Sequence, residues 1–327
     1  MLTGHGDDAN AYAGVEVDFA SCVAHHDLSP LLAFLRERME GIGRYPQADG
    51  AKAEEVLARH LGIRCEEVMI TNGATEAIYL MARVFSAYVP HISQPIFSEY
   101  KDAWAACPQG GKGEGRVHLL CNPNNPTGQA VDERRFMAER DKEEIVVIDH
   151  SYEAFTTKRL LSPAEGVGIP RLLIIHSMTK RFGVPGLRLG YVTGPEELIS
   201  RLRKGRMPWA VNALAQEAVP WLLAHAQLFP IDASAIAGER KRVSEELRKI
   251  GGMDVYPSDC HILLCRLQQG RASDLKQWLI TQHGLLIRDA SNFEGLDEGH
   301  FRIALQRPAE NNRLLGALGD YLNEESF

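Results

Sequence analysis

The chain has 327 residues and a formal net charge of -7, with 45% hydrophobic and 24% charged residues, which suits a globular protein with one large and one smaller domain. It contains no basic cluster that would indicate nucleic-acid binding, and no apolar run near the roughly 20 residues of a membrane span. Its start lacks the basic and apolar parts of a signal peptide, and none of its six cysteines forms a CxxC pair, so neither a zinc site nor a disulfide framework is suggested. We therefore expect a cytoplasmic protein without a metal site.

Helical and strand patterns alternate along the first two thirds of the chain. Hydrophobic periodicity predicts helices at 30–39, 51–60, 75–85 and 195–204. Apolar runs rich in β-branched residues predict strands at 67–71, 116–121, 144–149, 171–177 and 188–194. Several of these runs are almost wholly apolar, as in strands covered on both faces. The alternation predicts an α/β domain with a doubly wound, mostly parallel sheet.

The last third of the chain has a different order of predicted helices and strands from the first two thirds. Helices are predicted at 213–226, 231–250, 273–283 and 308–323, and strands at 261–267, 284–290 and 300–305. This pattern predicts a smaller α+β C-terminal domain. We therefore divide the chain into an N-terminal arm and helix at 1–44 that packs with the small domain, a large domain at 45–205, and connecting helices with the small domain at 206–327.

Polar or glycine-containing clusters follow four of the predicted strands. They are TNGATEA (71–77), CNPNNPTG (121–128), DHSY (149–152) and HSMTK (176–180). In open α/β sheets, ligands bind outside the carboxyl ends of the strands. We therefore expect these clusters to form one binding site.

The first cluster, TNGATEA, has the composition of an anion site. Gly73 permits a tight turn and a close approach of the backbone to a ligand. The N–H groups of Ala74 and Thr75 would then point outward from the start of a helix, where anions bind favourably. The alternative is that a polar side chain in this cluster only caps a helix.

The second cluster, CNPNNPTG, predicts a rigid polar turn. Pro123 and Pro126 restrict the backbone and present Asn124 and Asn125 on a defined loop. An ordinary turn without a ligand is the alternative.

The third cluster places a carboxylate at the end of an apolar strand. Burying Asp149 there is costly unless the carboxylate has a partner, and a protonated ring nitrogen of a ligand would be one. Tyr152, three residues further on, could reach the same ligand. The alternative is a helix cap or an aspartate that faces solvent.

The fourth cluster continues into SMTKRFGVPGLRLG. A bound phosphate needs a dense set of donors, and Ser177, Thr179 and Arg188 supply hydroxyls and a guanidinium. Lys180 would lie beside that phosphate and could form a covalent bond with an aldehyde. A surface lysine is the alternative.

In this order and spacing, the four clusters resemble those of the fold-type I pyridoxal-phosphate enzymes of the class I/II aminotransferase family, over nearly the whole chain. The resemblance implies pyridoxal 5'-phosphate as the cofactor and 45–205 as the domain that binds it, with Lys180 as its covalent anchor and a carrier of protons. It implies that Asp149 pairs with the ring nitrogen, and that Tyr152 and Asn125 donate to the phenolic oxygen. The implied phosphate ligands are Gly73, Ala74, Thr75, Ser177, Thr179 and Arg188.

The same resemblance implies four further contacts. Phe97 in QPIFSEY resembles the aromatic residue that stacks on the cofactor ring, with a core phenylalanine as the alternative. Tyr45 resembles a tyrosine that reaches the cofactor phosphate of a neighbouring subunit, which implies a homodimer with shared active sites. Arg302 resembles the arginine that binds the substrate carboxylate. Arg288 could bind the substrate phosphate or form a surface salt bridge.

Two remaining contacts are predicted for the substrate. His5 could add a phosphate contact from the N-terminal arm, and a disordered arm is the alternative. Asn125 is expected to face the substrate as well as the cofactor.

Several segments resemble the threonine-phosphate decarboxylase branch of the family, above all 207–218 and 285–296. That branch implies decarboxylation of L-threonine O-3-phosphate to (R)-1-aminopropan-2-yl phosphate in cobalamin biosynthesis. The alternatives are an aminotransferase that acts on histidinol phosphate or an aromatic amino acid, and a cofactor-binding regulator without catalysis. The clusters show chemistry that both enzymes share, and they do not show which bond at Cα is broken.

Two segments depart from the family pattern. Cys22 stands where the family often has an asparagine that contacts substrate, so that contact is not expected here. The segment 87–100, AYVPHISQPIFSEY, is short, which predicts a truncated strand before Phe97.

Overall fold

The computed structural model describes residues 9–107, 115–140 and 144–324. The α-helices within these ranges are α1 (Ser29–Arg36), α2 (Ala51–Leu61), α3 (Gly73–Val84), α4 (Glu99–Ala105), α5 (Glu133–Ala138), α6 (Pro163–Gly166), α7 (Met178–Phe182), α8 (Glu196–Gly205), α9 (Ala213–Ala224), α10 (Ala233–Ile250), α11 (Ala272–His283) and α12 (Pro308–Glu324). Short 3-10 turns lie at Ala9–Ala11, Met39–Gly43, Cys65–Glu67, Glu153–Phe155, Pro185–Leu187 and Ala226–Leu228.

The strands form three sheets. They are β1 (Val17–Asp18), β2 (Val68–Thr71), β3 (Val89–Ile92), β4 (Arg116–Cys121), β5 (Ile145–Asp149), β6 (Leu172–His176), β7 (Gly190–Thr193), β8 (Met253–Val255), β9 (Ile262–Leu267), β10 (Leu285–Leu286), β11 (Arg288–Asp289) and β12 (His300–Ala304). The large sheet has the order β2-β7-β6-β5-β4-β3, and the small sheet has the order β11-β12-β9-β8.

One strand of the large sheet runs against all the others. β3, β4, β5 and β6 pair in parallel, whereas β7 pairs antiparallel with both β6 and β2. The carboxyl ends of β2, β4, β5 and β6 therefore meet at one edge of the sheet, and β7 begins at that same edge. This topology brings the residues just before β7 to the ends of the parallel strands.

Helices cover both faces of the large sheet. Apolar residues of α3, α4 and α8 pack on one face with Met69 and Val192. On the other face, α1, α2 and α9 pack against Val68 and Ile70, and residues of α5 extend the cover beside β5 and β6. The buried, nearly all-apolar strands follow from this cover because side chains alternate between two dry faces.

The small sheet has its own core. α10, α11 and α12 pack with the apolar side chains of β9 and β12. The N-terminal strand β1 joins this region through parallel pairing with β10, Val17 opposite Leu285. The next helix, α1, packs instead with α2 and α9 through Leu31 and Leu35. The N-terminal segment thus contacts both sheets.

The α/β fold with a mixed, mostly parallel central sheet is confirmed. The segment 284–290, predicted as one strand, is instead divided into β10 and β11, which belong to different sheets. β3 is a short edge strand, as the short segment at 87–100 predicts, and its Pro90 is tolerated because an edge strand leaves one side unpaired. Within the described residues, no helix is both long and apolar enough to cross a membrane.

Candidate active site

The clusters at the strand ends enclose a cavity of about 340 Å³. Residues from all four clusters line it, together with one arginine from β12 of the small sheet. The predicted site residues that it brings together are Gly73, Ala74, Thr75, Phe97, Asn125, Asp149, Tyr152, Ser177, Thr179, Lys180, Arg188 and Arg302. A larger, shallow depression of about 780 Å³ lies between the N-terminal arm and α11 and contains none of them.

One end of the cavity is a cradle built on two glycines. Gly73 begins α3 with a φ of +80°, and a Cβ on it would lie 2.8 Å from Nη2 of Arg188. A Cβ on Gly190 would lie 2.8 Å from the backbone nitrogen of Ala74. The absence of both side chains lets the Arg188 guanidinium and the start of α3 approach each other. Backbone N–H groups at a helix start and a guanidinium together suit an anion such as phosphate.

Thr179 and Arg188 are coupled through the backbone between them. The Thr179 hydroxyl donates to the Leu189 carbonyl at 3.2 Å, and the Thr179 N–H donates to the same oxygen at 3.1 Å. Arg188 itself has a left-handed backbone with a φ of 56°. In this structure, the Thr179 hydroxyl therefore fixes the turn that carries Arg188.

Asp149 ends β5 and is held by two donors. The Ser151 N–H donates to Oδ1 at 2.7 Å, and the Tyr100 hydroxyl donates to Oδ2 in a short hydrogen bond. Burial, and then the negative charge of Asp149, raise the pKa of Tyr100 well above its ordinary value. Tyr100 thus keeps its proton and donates a hydrogen bond to the Asp149 carboxylate. The sequence interpretation missed Tyr100, although it lies one helical turn after Phe97 in FSEY.

A chain of polar contacts crosses the cavity from Tyr152 to the small sheet. The Asn125 amide donates to the Tyr152 hydroxyl at 3.3 Å, and Nη1 of Arg302 donates to the Asn125 Oδ1 at 2.6 Å. Burial raises the pKa of Tyr152 well above its ordinary value, so its hydroxyl remains protonated. The Nε atom of Arg302 is buried and has no hydrogen-bond partner among the described residues. A buried guanidinium of this kind is suited to an anionic ligand.

The N-terminal segment Ala20–Val23 forms another wall of the cavity, which the sequence interpretation did not place there. The Ala20 carbonyl accepts a short hydrogen bond from Arg302, and the Ala24 N–H donates to the Lys180 carbonyl at 2.9 Å. His261 donates to the Cys22 carbonyl at 3.2 Å, and burial lowers the pKa of His261 to about 3. A neutral His261 therefore supports the cavity wall.

Arg288 lies beside the main cavity and not in it. It is buried, and its Nη2 donates to the Asn292 Oδ1 at 2.7 Å, so it is not a surface salt-bridge residue. Arg288 pairs directly opposite Arg302 across β11 and β12. A small adjoining cavity of about 20 Å³ touches Arg288, Arg302 and Phe97. The two arginines therefore border neighbouring spaces.

Tyr45 does not line the cavity of its own chain. Tyr45 is 85% exposed and packs against Trp209, with ring centroids 5.3 Å apart. His5 lies outside the described residues, so its predicted contact stays a prediction.

The residues of the cavity fit pyridoxal phosphate. The Gly73 and Gly190 cradle with Arg188 suits a phosphate, and Asp149 in the same cavity offers a carboxylate to a ring nitrogen. Lys180 also lines this cavity, and its amine would bond an aldehyde. The buried Nε of Arg302 leaves a place for an anionic group of a substrate.

Comparisons with known proteins agree with this geometry. A family model described as aminotransferase class I and II matches residues 108–318. The chain is 30% identical over 317 residues to the threonine-phosphate decarboxylase of Salmonella typhimurium (strain LT2), which covers 88% of this chain and 86% of that protein. It is 29% identical over 309 residues to a histidinol-phosphate aminotransferase of Caldanaerobacter subterraneus subsp. tengcongensis, covering 85% and 84%.

A solved structure extends this similarity to three dimensions. L-threonine-O-3-phosphate decarboxylase from Porphyromonas gingivalis superimposes with a TM-score of 0.88 at 33% identity, covering 94% of this chain and 99% of that chain.

Proposed function

The chain belongs to the class I and II aminotransferase family, and from this premise we propose that it decarboxylates L-threonine O-3-phosphate. It is a pyridoxal-phosphate-dependent enzyme, as the members of this family are. The proposed product is (R)-1-aminopropan-2-yl phosphate, and the proposed use of that product is cobalamin biosynthesis. Similarity to threonine-phosphate decarboxylases at about 30% identity, in sequence and in structure, supports this choice.

The observation that carries the proposal is a pair of buried arginines, one of which lines the same cavity as Lys180. Arg302 borders the main cavity and Arg288 the adjoining one, opposite each other across two paired strands. Two guanidinium groups at this spacing suit a substrate with two anionic groups. Threonine phosphate has a carboxylate and a phosphate, whereas histidinol phosphate has only the phosphate. We assign the carboxylate to Arg302 and the phosphate to Arg288.

Different residues of the chain have different roles in the proposed reaction. Bound pyridoxal phosphate withdraws electrons from whichever Cα bond of the substrate stands perpendicular to its ring. Asp149, which accepts a hydrogen bond from Tyr100, would hold a proton on the ring nitrogen. Arg302 and Arg288 set which bond stands perpendicular, because they fix the two anionic ends of the substrate. The Nζ atom of Lys180 returns a proton to Cα after CO2 has left.

Other residues hold the cofactor in place. Ala74, Thr75, Ser177 and Arg188 would bind the phosphate, with Thr179 fixing the turn that carries Arg188. Asn125 and Tyr152 would donate to the phenolic oxygen of the ring. Phe97 would cover one face of the ring.

One assay distinguishes decarboxylation from transamination. The purified protein is incubated with pyridoxal phosphate and threonine phosphate, and CO2 and aminopropanol phosphate are measured. The expected result is equal amounts of both products without any added 2-oxo acid. Loss of histidinol phosphate that depends on 2-oxoglutarate, with no CO2 from threonine phosphate, would show an aminotransferase instead.

The glycine cradle gives a first prediction for cofactor binding. Gly190→Ala should weaken the binding of pyridoxal phosphate by about tenfold or more, because the new Cβ would meet backbone atoms of Gly73, Ala74 and His176 that cannot move aside. Affinity is measured by titrating protein without cofactor with pyridoxal phosphate and following absorbance. Gly186→Ala is the matched control, since its Cβ would meet nothing within 4 Å. Equal affinities in the two variants would contradict the cradle.

We also propose a homodimer in which Tyr45 completes the site of the other subunit. Large apolar side chains are exposed around Tyr45, including Met39, Ile42, Met207 and Trp209. Trp209 has a left-handed backbone with a φ of 59°, a strained state for a bulky residue that often marks a functional surface. An apolar face with this composition suits the core of a subunit interface.

Mixing two inactive variants tests the shared site. Lys180→Ala and Tyr45→Ala are each expected to lose most activity. A mixed dimer of the two should regain up to about half of the activity of the unaltered dimer, because one of its two sites carries neither change and the other carries both. Recovery is measured after the subunits are exchanged in mild denaturant, and each variant exchanged with itself is the control. No recovery, in a protein that sediments as a dimer, would show that Tyr45 does not act across the interface.

A further inference from the structure

Three titratable residues form a buried cluster next to the cavity. His150, Glu153 and His176, called here the His–Glu cluster, each offer one ligand atom, and these atoms all lie within 4.8 Å of one another. Both histidines are fully buried, whereas the Glu153 side chain is 36% exposed. The cluster therefore has a dry interior and one side that reaches solvent.

A second carboxylate fixes the orientation of His150. Nε2 of His150 bonds Glu133 at 2.6 Å, and Glu133 also accepts from the Asn122 amide and the Leu161 N–H, both at 2.7 Å. With these donors around it, Glu133 is an acceptor, so the proton of the imidazole lies on Nε2. Nδ1 then presents its lone pair to the cluster. A carboxylate behind a histidine in this way is the usual support of a metal-binding imidazole.

His176 is oriented in a similar manner. Its Nε2 contacts the Thr193 hydroxyl at 3.3 Å, and its ring stacks on Tyr191 with centroids 4.4 Å apart. Its Nδ1 lies 3.0 Å from Oε1 of Glu153. The two imidazoles thus turn their Nδ1 atoms toward opposite oxygens of one carboxylate.

The distance between Nδ1 of His150 and the Glu153 carboxylate distinguishes a hydrogen bond from a possible metal site. Nδ1 of His150 lies 3.7 Å from Oε2 of Glu153, which is too long for a hydrogen bond, and this buried nitrogen has no hydrogen-bond partner among the described residues. Two ligands of a tetrahedral Zn²⁺ ion lie roughly 3.4 Å apart. The geometry points to a structural site for a divalent transition metal such as Zn²⁺, with Nδ1 of His150, Nδ1 of His176 and the Glu153 carboxylate as ligands.

Charge supports this assignment. The carboxylates of Glu133 and Glu153 offer two negative charges, and an imidazole that binds a metal ion carries none, so a divalent cation would make the group neutral. The competing occupant is a proton. Burial opposes charge on His150, but the hydrogen bond with Glu133 and the negative charge of the nearby Glu153 raise the pKa of His150 to about 9. A proton and a metal ion cannot share Nδ1, so an experiment can distinguish them.

Each ligand is the direct sequence neighbour of a residue in the main cavity. His150 follows Asp149, Glu153 follows Tyr152, and His176 precedes Ser177. A metal ion in the cluster would therefore tie together the ends of β5 and β6 and the turn after Tyr152. Its role would be to hold these cavity residues in position, and none of the ligands needs to touch the substrate. None of the six cysteines takes part, which is why cysteine spacing did not predict the site.

The test uses the full chain with pyridoxal phosphate bound. After treatment with a chelator and removal of the chelator, Zn²⁺ is added in competition with a coloured chelator, and Co²⁺ is added to record the ligand-field spectrum. We expect one ion per chain, a cobalt spectrum typical of nitrogen and oxygen ligands, and a higher melting temperature with metal. Glu153→Gln and His176→Asn should each weaken Zn²⁺ binding by at least about 100-fold, because even the loss of a supporting residue costs about 10–100-fold.

His118→Gln is the matched control. His118 also bonds a carboxylate, that of Glu144 at 2.8 Å, but it belongs to no group of three candidate ligands in the described part of the chain. Its change should leave Zn²⁺ affinity unaltered, and visible absorbance of the cofactor shows that each variant is folded. Three results would overturn the proposal: no ion bound by the unaltered chain, a cobalt spectrum with thiolate ligands, or equal affinity in Glu153→Gln and His118→Gln.

Discussion

Lys180→Ala should lower the turnover of threonine phosphate by at least about 10³-fold, because it removes both the covalent attachment of the cofactor and the group that returns a proton to Cα. The backbone should stay in place, since the Lys180 carbonyl, which accepts from the Ala24 N–H at 2.9 Å, is unchanged by the substitution. Reduction with borohydride gives a second measurement. In the unaltered chain it should fix the cofactor to Lys180, and in the variant the peptide that contains this position should carry no cofactor.

Lys204→Ala is the control for this prediction. Lys204 is exposed near the end of α8 and lies outside the cavity. The variant should keep both its turnover and its reducible cofactor. If Lys180→Ala retained turnover near that of Lys204→Ala, or if reduction fixed the cofactor to a different lysine, the assignment of Lys180 would be wrong.

Asp149→Asn should have the second largest effect, with turnover lowered by roughly 10²–10⁴-fold, the equivalent of about 3–5 kcal/mol for a buried charge that loses its partner. Asparagine has nearly the same shape but no charge, so it cannot hold a proton on the ring nitrogen. Turnover is measured at saturating cofactor, which separates this loss from weaker cofactor binding.

Tyr100→Phe is a milder change at the same site, and its effect can be compared with that of Asp149→Asn. It removes one hydrogen bond to the carboxylate but keeps its charge and its bond with Ser151. Turnover should then fall by only about tenfold, as expected for one hydrogen bond to a charged group. A larger loss in Tyr100→Phe than in Asp149→Asn would show that the charge of Asp149 is not the important property.

The sequence predicted long elements well because their periodicity extends over several turns or a full strand. The strand predicted at 116–121 and the helix predicted at 51–60 lie within a residue of β4 and α2. Shorter elements were missed. β1 has two residues and β8 three, and α5 and α7 are too short for a 3.6-residue period to be recognised. Their positions depend on neighbours that are distant in the chain.

The division of 284–290 has a physical cause that the local sequence does not contain. Leu285 pairs with Val17, and Arg288 pairs with Arg302, so the chain leaves one sheet and enters another within four residues. The apolar pattern is continuous because both halves are buried. β10 ends where its pairing with β1 ends, and β1 is far away in the sequence.

Most of the residues predicted for the candidate site line one cavity, and the reason can be read from the sequence. Its clusters follow strands that run in parallel, and parallel strands bring their carboxyl ends to one edge. Arg188 also reaches that edge because β7 runs in the opposite direction. Tyr100 could not be found in this way, since its bond with Asp149 joins a helix to a strand 49 positions away. Sequence alternation also could not show that Arg302 borders both cavities, whereas Arg288 borders only the small adjoining one of the two.

The wall formed by Ala20–Val23 has a consequence for synthesis of the chain on the ribosome. The Phe19 N–H donates to the Leu286 carbonyl, and the Phe19 carbonyl accepts from the Ala304 N–H. The segment that forms this wall is therefore synthesised early, whereas the residues that hold it by hydrogen bonds are synthesised late. Since domains fold from the N-terminus as they emerge, the large sheet can form first while the cavity stays open on one side. A chain stopped before β12 should leave the ribosome with Lys180 in place and no closed pocket around it.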